Sequence, residues 1–289
     1  SRLRHRSFSR KAQQARAEPD SNSKPNPAPN PTPTPPTMSC CPPEAWPGLT
    51  EDTSRELAGT VETLGSGLRL YVAGDAAATK GIVVVHDVFG FAGGRVKSVC
   101  DALAADTGML VIMPDLYGDD ASIADLGGFN EAGQAWLKTE HSYEKLSPKL
   151  EEAYEFGKAR GITSFGGIGF CWGALPIFLA SAEGKLAAGV SCHPSLQLSA
   201  MMYGGLDEPG LAAEVKCPQL LMPAGGDADH YRDGTLTDII NANGFEGAAV
   251  DFPDMRHGWT IRGDATDPAV NRDVYAAMSA AKDFFIKHV

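Results

Sequence analysis

Ile168-Gly169-Phe170-Cys171-Trp172-Gly173-Ala174 reads as strand, sharp turn, helix. Residues 164–168 close a short apolar run with strand character, and residues 172–181 are apolar enough for a buried helix. Between them stands a cysteine with a glycine two positions before it and another two positions after it. The spacing has a steric reason. A residue raised above a sheet on a strained turn needs flanks without side chains, because a Cβ there meets the neighbouring strand or helix. The turn lifts the sulfur above the sheet. It also leaves the Trp172 N–H at a helix start, where it can hold a developing oxyanion. On its own the stretch is equally compatible with an inert core cysteine.

Working outward, strands and helices alternate. Strands are expected over residues 68–72, 81–85, 109–113, 187–191, 219–222 and 248–252. The run Gly81-Ile82-Val83-Val84-Val85 is continuously apolar, as a strand buried on both faces of a parallel sheet must be. Helices are expected over 95–106, around 131–138, and over 144–160, 235–242 and 268–287. This alternation predicts one α/β domain over residues 38–289, a mostly parallel sheet with helices on both faces.

Composition narrows the function classes. The 289 residues are 43% hydrophobic and 21% charged, ordinary for a globular chain. The net charge of −11 argues against nucleic acid, and no apolar run approaches a membrane span. The six cysteines, Cys40, Cys41, Cys100, Cys171, Cys192 and Cys217, show no C-x-x-C spacing. That excludes a zinc motif and a disulfide framework, and it points to a reducing, cytoplasmic setting. Residues 1–37 differ from the rest. Seven Lys/Arg against two acids give this stretch +5, which leaves −16 for the remainder, and eight prolines lie between Pro19 and Pro36. A solvated basic, Pro-rich tail is expected there. The Arg/Ser-rich first 17 residues also look somewhat like an organellar transit peptide, while Met38 opens a candidate independent start.

In doubly wound sheets chemistry gathers at the carboxyl ends of the strands. His86-Asp87-Val88 follows the first buried run, and Cys171 follows the residue 164–170 strand. Gly225-Gly226-Asp227-Ala228-Asp229 and Arg256-His257-Gly258 follow the last two. The order Cys…Asp…His is the chain order of an α/β-hydrolase triad. Cys171 is the expected nucleophile and His257 its base. His193, which also follows a strand, competes with His257, whereas His141 reads as a surface or capping residue. Asp227 is preferred over Asp229 as the acid that orients the histidine, because it keeps the preceding strand at ordinary length. The second oxyanion N–H is expected from Val88. Asp87, on the same loop, is either a partner of the resting thiol or a turn cap.

With those pieces in place, the chain resembles the dienelactone hydrolase (carboxymethylenebutenolidase) family. The likeness rests on VVVHDVFG (83–90), PDLYG (114–118), GFCWGA (169–174), the segment 218–227 and HGWTIRG (257–263), and MSCCPPEAW (38–46) is similar to the start of eukaryotic members. The resemblance implies an α/β-hydrolase fold and hydrolysis of a small ester or lactone through an acyl-thiol on Cys171. Asp227 and His257 complete the triad, and no cofactor or metal is implied. It implies that Asp87 holds the resting thiol and that Arg262 binds the substrate. Bacterial members carry Glu at the Asp87 position, and an arginine where Gly118-Asp119-Asp120 stands here. The expected assembly is a monomer or weak dimer.

Two other classes remain open. One is a scaffold that binds or senses a small molecule without turnover. The other is a redox thiol protein, for which Cys192 is the candidate partner of Cys171.

Overall fold

The computed structural model describes residues 41–49, 56–119 and 121–289. The expected tail of residues 1–37, together with Cys40, lies outside them. In chain order the elements are β1 (Thr60–Thr63), β2 (Arg69–Ala73), β3 (Lys80–Val85), α1 (Val96–Thr107), β4 (Leu110–Pro114), α2 (Glu131–Glu140), α3 (Tyr143–Ala159) and β5 (Ser164–Phe170). Then come α4 (Ala174–Ala182), β6 (Ala188–Cys192), α5 (Leu198–Tyr203), α6 (Glu208–Glu214), β7 (Gln219–Met222), α7 (Thr235–Ala242), β8 (Gly247–Ala249), α8 (Trp259–Arg262) and α9 (Pro268–His288). The eight strands form one sheet in the order β1-β2-β4-β3-β5-β6-β7-β8. β2 runs antiparallel to both of its neighbours, and all other pairs are parallel.

β3 shows why the sheet is buried on both faces. Ile82, Val83, Val84 and Val85 are fully buried. Because successive side chains point to opposite faces, Val83 and Val85 join the core under α3 and α4, while Ile82 and Val84 join the core under α1 and α9. α1 contributes Val96, Val99, Cys100 and Leu103 to that second core, and Gly108 ends the helix in the left-handed conformation (φ 69°). α9 begins at Pro268, with the Asp267 carboxylate accepting the Ala269 N–H at 2.8 Å.

The expected strands and helices form, with two corrections at the edges. β8 ends at Ala249 instead of residue 252. Its ladder with β7 stops beside Pro223, which has no N–H to donate, and only an isolated bridge between Ala224 and Phe252 continues it. The edge strand β1 carried no sequence signal, because Thr60–Thr63 has no apolar run and is largely exposed. No helix among the described residues is long and apolar enough to cross a membrane.

Candidate active site

β5 delivers Cys171 to the top of the sheet. The residue stands at φ +55°, a conformation a non-glycine residue seldom adopts, and opens the single 3-10 turn Cys171–Gly173 before α4. The crowding argument holds in three dimensions. A Cβ on Gly169 would fall well inside contact distance of the Gly173 carbonyl, and one on Gly173 would lie 2.5 Å from the Val85 oxygen and 2.6 Å from that of His86. The Trp172 N–H lies in the first turn, where backbone donors have no intrahelical acceptor. Val88 sits on the loop leaving β3, the strand that pairs with β5.

β7 and the loop after β8 bring Asp227 to His257. Nδ1 of His257 donates to Oδ1 of Asp227 at 2.6 Å, and both side chains are buried. The other carboxylate oxygen, Oδ2, accepts the Ala224 N–H at 2.7 Å, which fixes the acid's orientation. Asp229 instead projects into solvent beside Arg232. His193 is packed edge to face against His257 at 4.9 Å, and its Nε2 bonds the Thr260 hydroxyl at 2.6 Å. Burial holds His193 well below the ordinary range, so it stays neutral. Burial also pushes His257 down, but the sulfurs of Cys41 and Cys171 and the Asp227 carboxylate together raise it well above its usual value. This environment favours a proton on the imidazole and a negative charge on sulfur.

Asp87 and Arg262 face one another across the site, Oδ2 to Nε at 2.8 Å, both buried. The guanidinium also donates to the Trp46 carbonyl and lies 4.6 Å over the Phe89 ring. Arg262 is thus buried, with its guanidinium held between the Asp87 carboxylate and the Trp46 carbonyl. Its short helix, α8, is tied to residues 41–49 through the Trp46 carbonyl, and its charge faces a buried acid. Burial raises Asp87 to about 6. Arg262 opposes that rise and the Cys171 sulfur adds to it. Carboxylate and thiolate thus compete for negative charge beside one cation. Asp87 also accepts the Phe89 N–H at 2.9 Å, so the turn-capping role applies as well.

Two further groups reach the thiol. The sulfur of Cys41 lies 3.5 Å from that of Cys171, and the Ser195 hydroxyl lies 3.5 Å away on another side. One atom each from Cys41, Cys171 and His257 lies within 4.8 Å of the other two. Two sulfurs and an imidazole backed by a carboxylate form a donor set that zinc accepts, although no spacing motif announces it. Cys192 is not the partner expected of a redox pair. It is fully buried in the core under α1 and α9, where burial pushes its thiol far up.

The family model described as the dienelactone hydrolase family matches residues 68–289, a span that contains the elbow, Asp87, Asp227, His257 and Arg262. The chain belongs to the dienelactone hydrolase family. An uncharacterized AIM2 family protein of Schizosaccharomyces pombe is 28% identical over 256 residues, covering 86% of this chain and 98% of that protein. The hydrolase tropI of Talaromyces stipitatus is 22% identical over 222 residues, covering 74% and 84%. Among solved structures, a dienelactone hydrolase from Anabaena variabilis superposes with a TM-score of 0.56 at 17% identity, covering 80% of this chain and 99% of that one. The chain shares its α/β-hydrolase fold with that solved structure.

Within this family member, sequence reasoning missed Cys41, Ser195 and the burial of His141. Ser195 had a signal, since it follows the end of β6 by three residues, as the other site residues follow their strands. Cys41 had none, because 130 residues separate it from Cys171. His141 does cap α2, but it is buried against Tyr117 (4.4 Å) and Trp136 (4.2 Å) in an aromatic group that extends to Trp172, and burial holds it down at about 4.

Proposed function

We propose that the protein is a cysteine-dependent hydrolase of small esters or lactones. The observation that carries this reading is the buried Asp227–His257 pair, Oδ1 to Nδ1 at 2.6 Å, with an imidazole nitrogen and the Cys171 sulfur within 4.8 Å of one another. His257 takes the proton of Cys171, and the thiolate attacks the substrate carbonyl. The Trp172 and Val88 N–H groups hold the oxyanion. Collapse transfers a proton from His257 to the leaving alkoxide and leaves an acyl-thiol. Water, deprotonated by His257, then attacks that thioester and releases the acid. Asp227 keeps the ring in the tautomer that both half-reactions need.

An assay against activated esters and small lactones tests the proposal. Turnover that depends on Cys171 supports it. Undiminished turnover by a folded Cys171→Ala protein contradicts it.

A further inference from the structure

Residues 41–49 run over the site and are fastened to the loops that carry its catalytic groups. The Trp46 N–H donates to the His257 carbonyl at 2.9 Å, and Arg256 donates to the Glu44 carbonyl at 2.5 Å while its guanidinium covers the Trp46 ring at 4.3 Å. Arg262 holds the Trp46 carbonyl. At the far end, the Gly94 N–H donates to the Leu49 carbonyl at 2.9 Å. A Cβ on Gly226, next to the triad acid, would collide with the Glu44 carboxylate. This strap delivers Cys41, half-buried, to a sulfur that is itself fully buried.

We propose that Cys41 and Cys171 are an oxidation site, a thiol pair that closes to a reversible disulfide under hydrogen peroxide and blocks the nucleophile. The sulfurs are 3.5 Å apart, so a bond of ~2.05 Å needs a movement of about 1.5 Å, which side-chain rotation and a small shift of the strap supply. Cys41 is the sulfur nearer solvent. Its thiolate attacks one peroxide oxygen, breaking the O–O bond, and a proton converts the departing hydroxide to water, leaving Cys41 as a sulfenic acid. The Cys171 thiolate then attacks the Cys41 sulfur, and the S–O bond breaks. The departing hydroxide takes a proton, which the His257 imidazolium, within 4.8 Å of both sulfurs, supplies. Two thiols and one peroxide become one disulfide and two waters, with each sulfur giving one electron. A dithiol reductant reverses the step. The disulfide also keeps Cys171 from passing to sulfinic and sulfonic acids, which thiols do not undo.

The inference rests on Cys171 being the reactive thiol of the proposed hydrolase, but its readout is mass rather than turnover. The full-length protein is treated with a small excess of hydrogen peroxide, digested and mapped, beside Cys41→Ser, Cys41→Ala and Cys40→Ser variants. The expected result is a loss of about 2 Da, a cross-linked peptide pair containing Cys41 and Cys171, and at least ~10-fold loss of esterase activity that dithiothreitol restores. Cys40→Ser keeps the link. Both Cys41 variants instead gain about 32 Da at Cys171 and stay inactive after dithiothreitol. A link from Cys40 or Cys192, or no link at all, overturns the inference. So do Cys41 variants that recover as the unsubstituted protein does. If the link is missing while turnover still depends on Cys171, only this inference fails. If Cys171→Ala turns over normally, the hydrolase reading fails with it.

Discussion

His257 Nδ1 donates to Asp227 Oδ1 at 2.6 Å, and the two side chains are almost wholly withdrawn from solvent. A buried carboxylate in that position sets the imidazole tautomer and stabilises its protonated form. Asp227→Asn keeps the shape and removes the charge, and we expect kcat to fall by ~10³–10⁴-fold, the scale seen when triads lose this acid. Asp229→Asn, exposed beside Arg232, should stay within about twofold of the parent, as surface substitutions away from a site usually do. Steady-state kinetics with an activated ester, with circular dichroism as the folding control, separates the two acids.

The elbow glycines make a stability prediction. A methyl group on Gly169 meets the Gly173 carbonyl, and neither backbone segment can yield without moving β5 or α4. Overpacking of this kind costs ~1–3 kcal/mol or more. We expect Gly169→Ala to lower Tm by about 5 °C or more, given ~2–4 °C per kcal/mol for a domain of this size. Gly184→Ala serves as the comparison, since its Cβ meets nothing within 4 Å and only its φ of +74° resists the change. Differential scanning fluorimetry reads both.

Asp87 predicts a pH dependence with a definite sign. Burial, partly offset by Arg262 and reinforced by Cys171, raises its folded value from 3.8 to about 6. The folded protein therefore binds this proton more tightly than the unfolded chain does. Its contribution to stability is fully present below pH 3.8 and is lost as pH rises through 6, with a total on the order of 3 kcal/mol. Asp87→Asn lacks that slope. It resembles the protonated acid, so its stability lies near the parent's at pH 4. The expected result is that the parent loses Tm relative to Asp87→Asn between pH 4 and pH 6.5. A constant gap would contradict the shifted carboxyl.

The contrast between legible and illegible features has physical causes. β3 was readable because four consecutive apolar residues serve two cores, and Cys171 because its glycine flanks answer a steric demand. Asp227 and His257 were readable because parallel strands present their carboxyl ends on one edge of the sheet. Contacts between distant segments left no local trace. Cys41 reaches Cys171 only because the strap is fastened by backbone groups of Trp46 and Glu44, which any sequence carries. The pairing of Arg262 with Asp87 likewise left no trace near either residue. The burial of one helix cap, His141, depended on Tyr117 arriving from another part of the chain to join Trp136 of the same helix.

Arg262 offers a further test. If its guanidinium answers Asp87 rather than a substrate carboxylate, Arg262→Met leaves a buried acid uncompensated and costs ~3–5 kcal/mol, visible as a large drop in Tm. Arg262→Lys should keep the charge but lose the fork that spans Asp87 and the Trp46 carbonyl. In that variant the ratio of kcat/KM for a neutral ester to that for an ester carrying a carboxylate should match the parent's within about twofold, allowing ~0.4 kcal/mol of discrimination. A selective loss on the anionic ester would assign Arg262 to the substrate.

The central claim is that Cys171 carries the acyl group between the two half-reactions. Rapid mixing with an activated ester, acid quench and peptide mapping measures it directly. The account predicts a transient adduct of acyl mass on the peptide containing Cys171, formed in a burst and absent from Cys171→Ala. A burst whose adduct maps to Ser195, Cys41 or any other residue, or steady turnover by a folded Cys171→Ala protein, would contradict it.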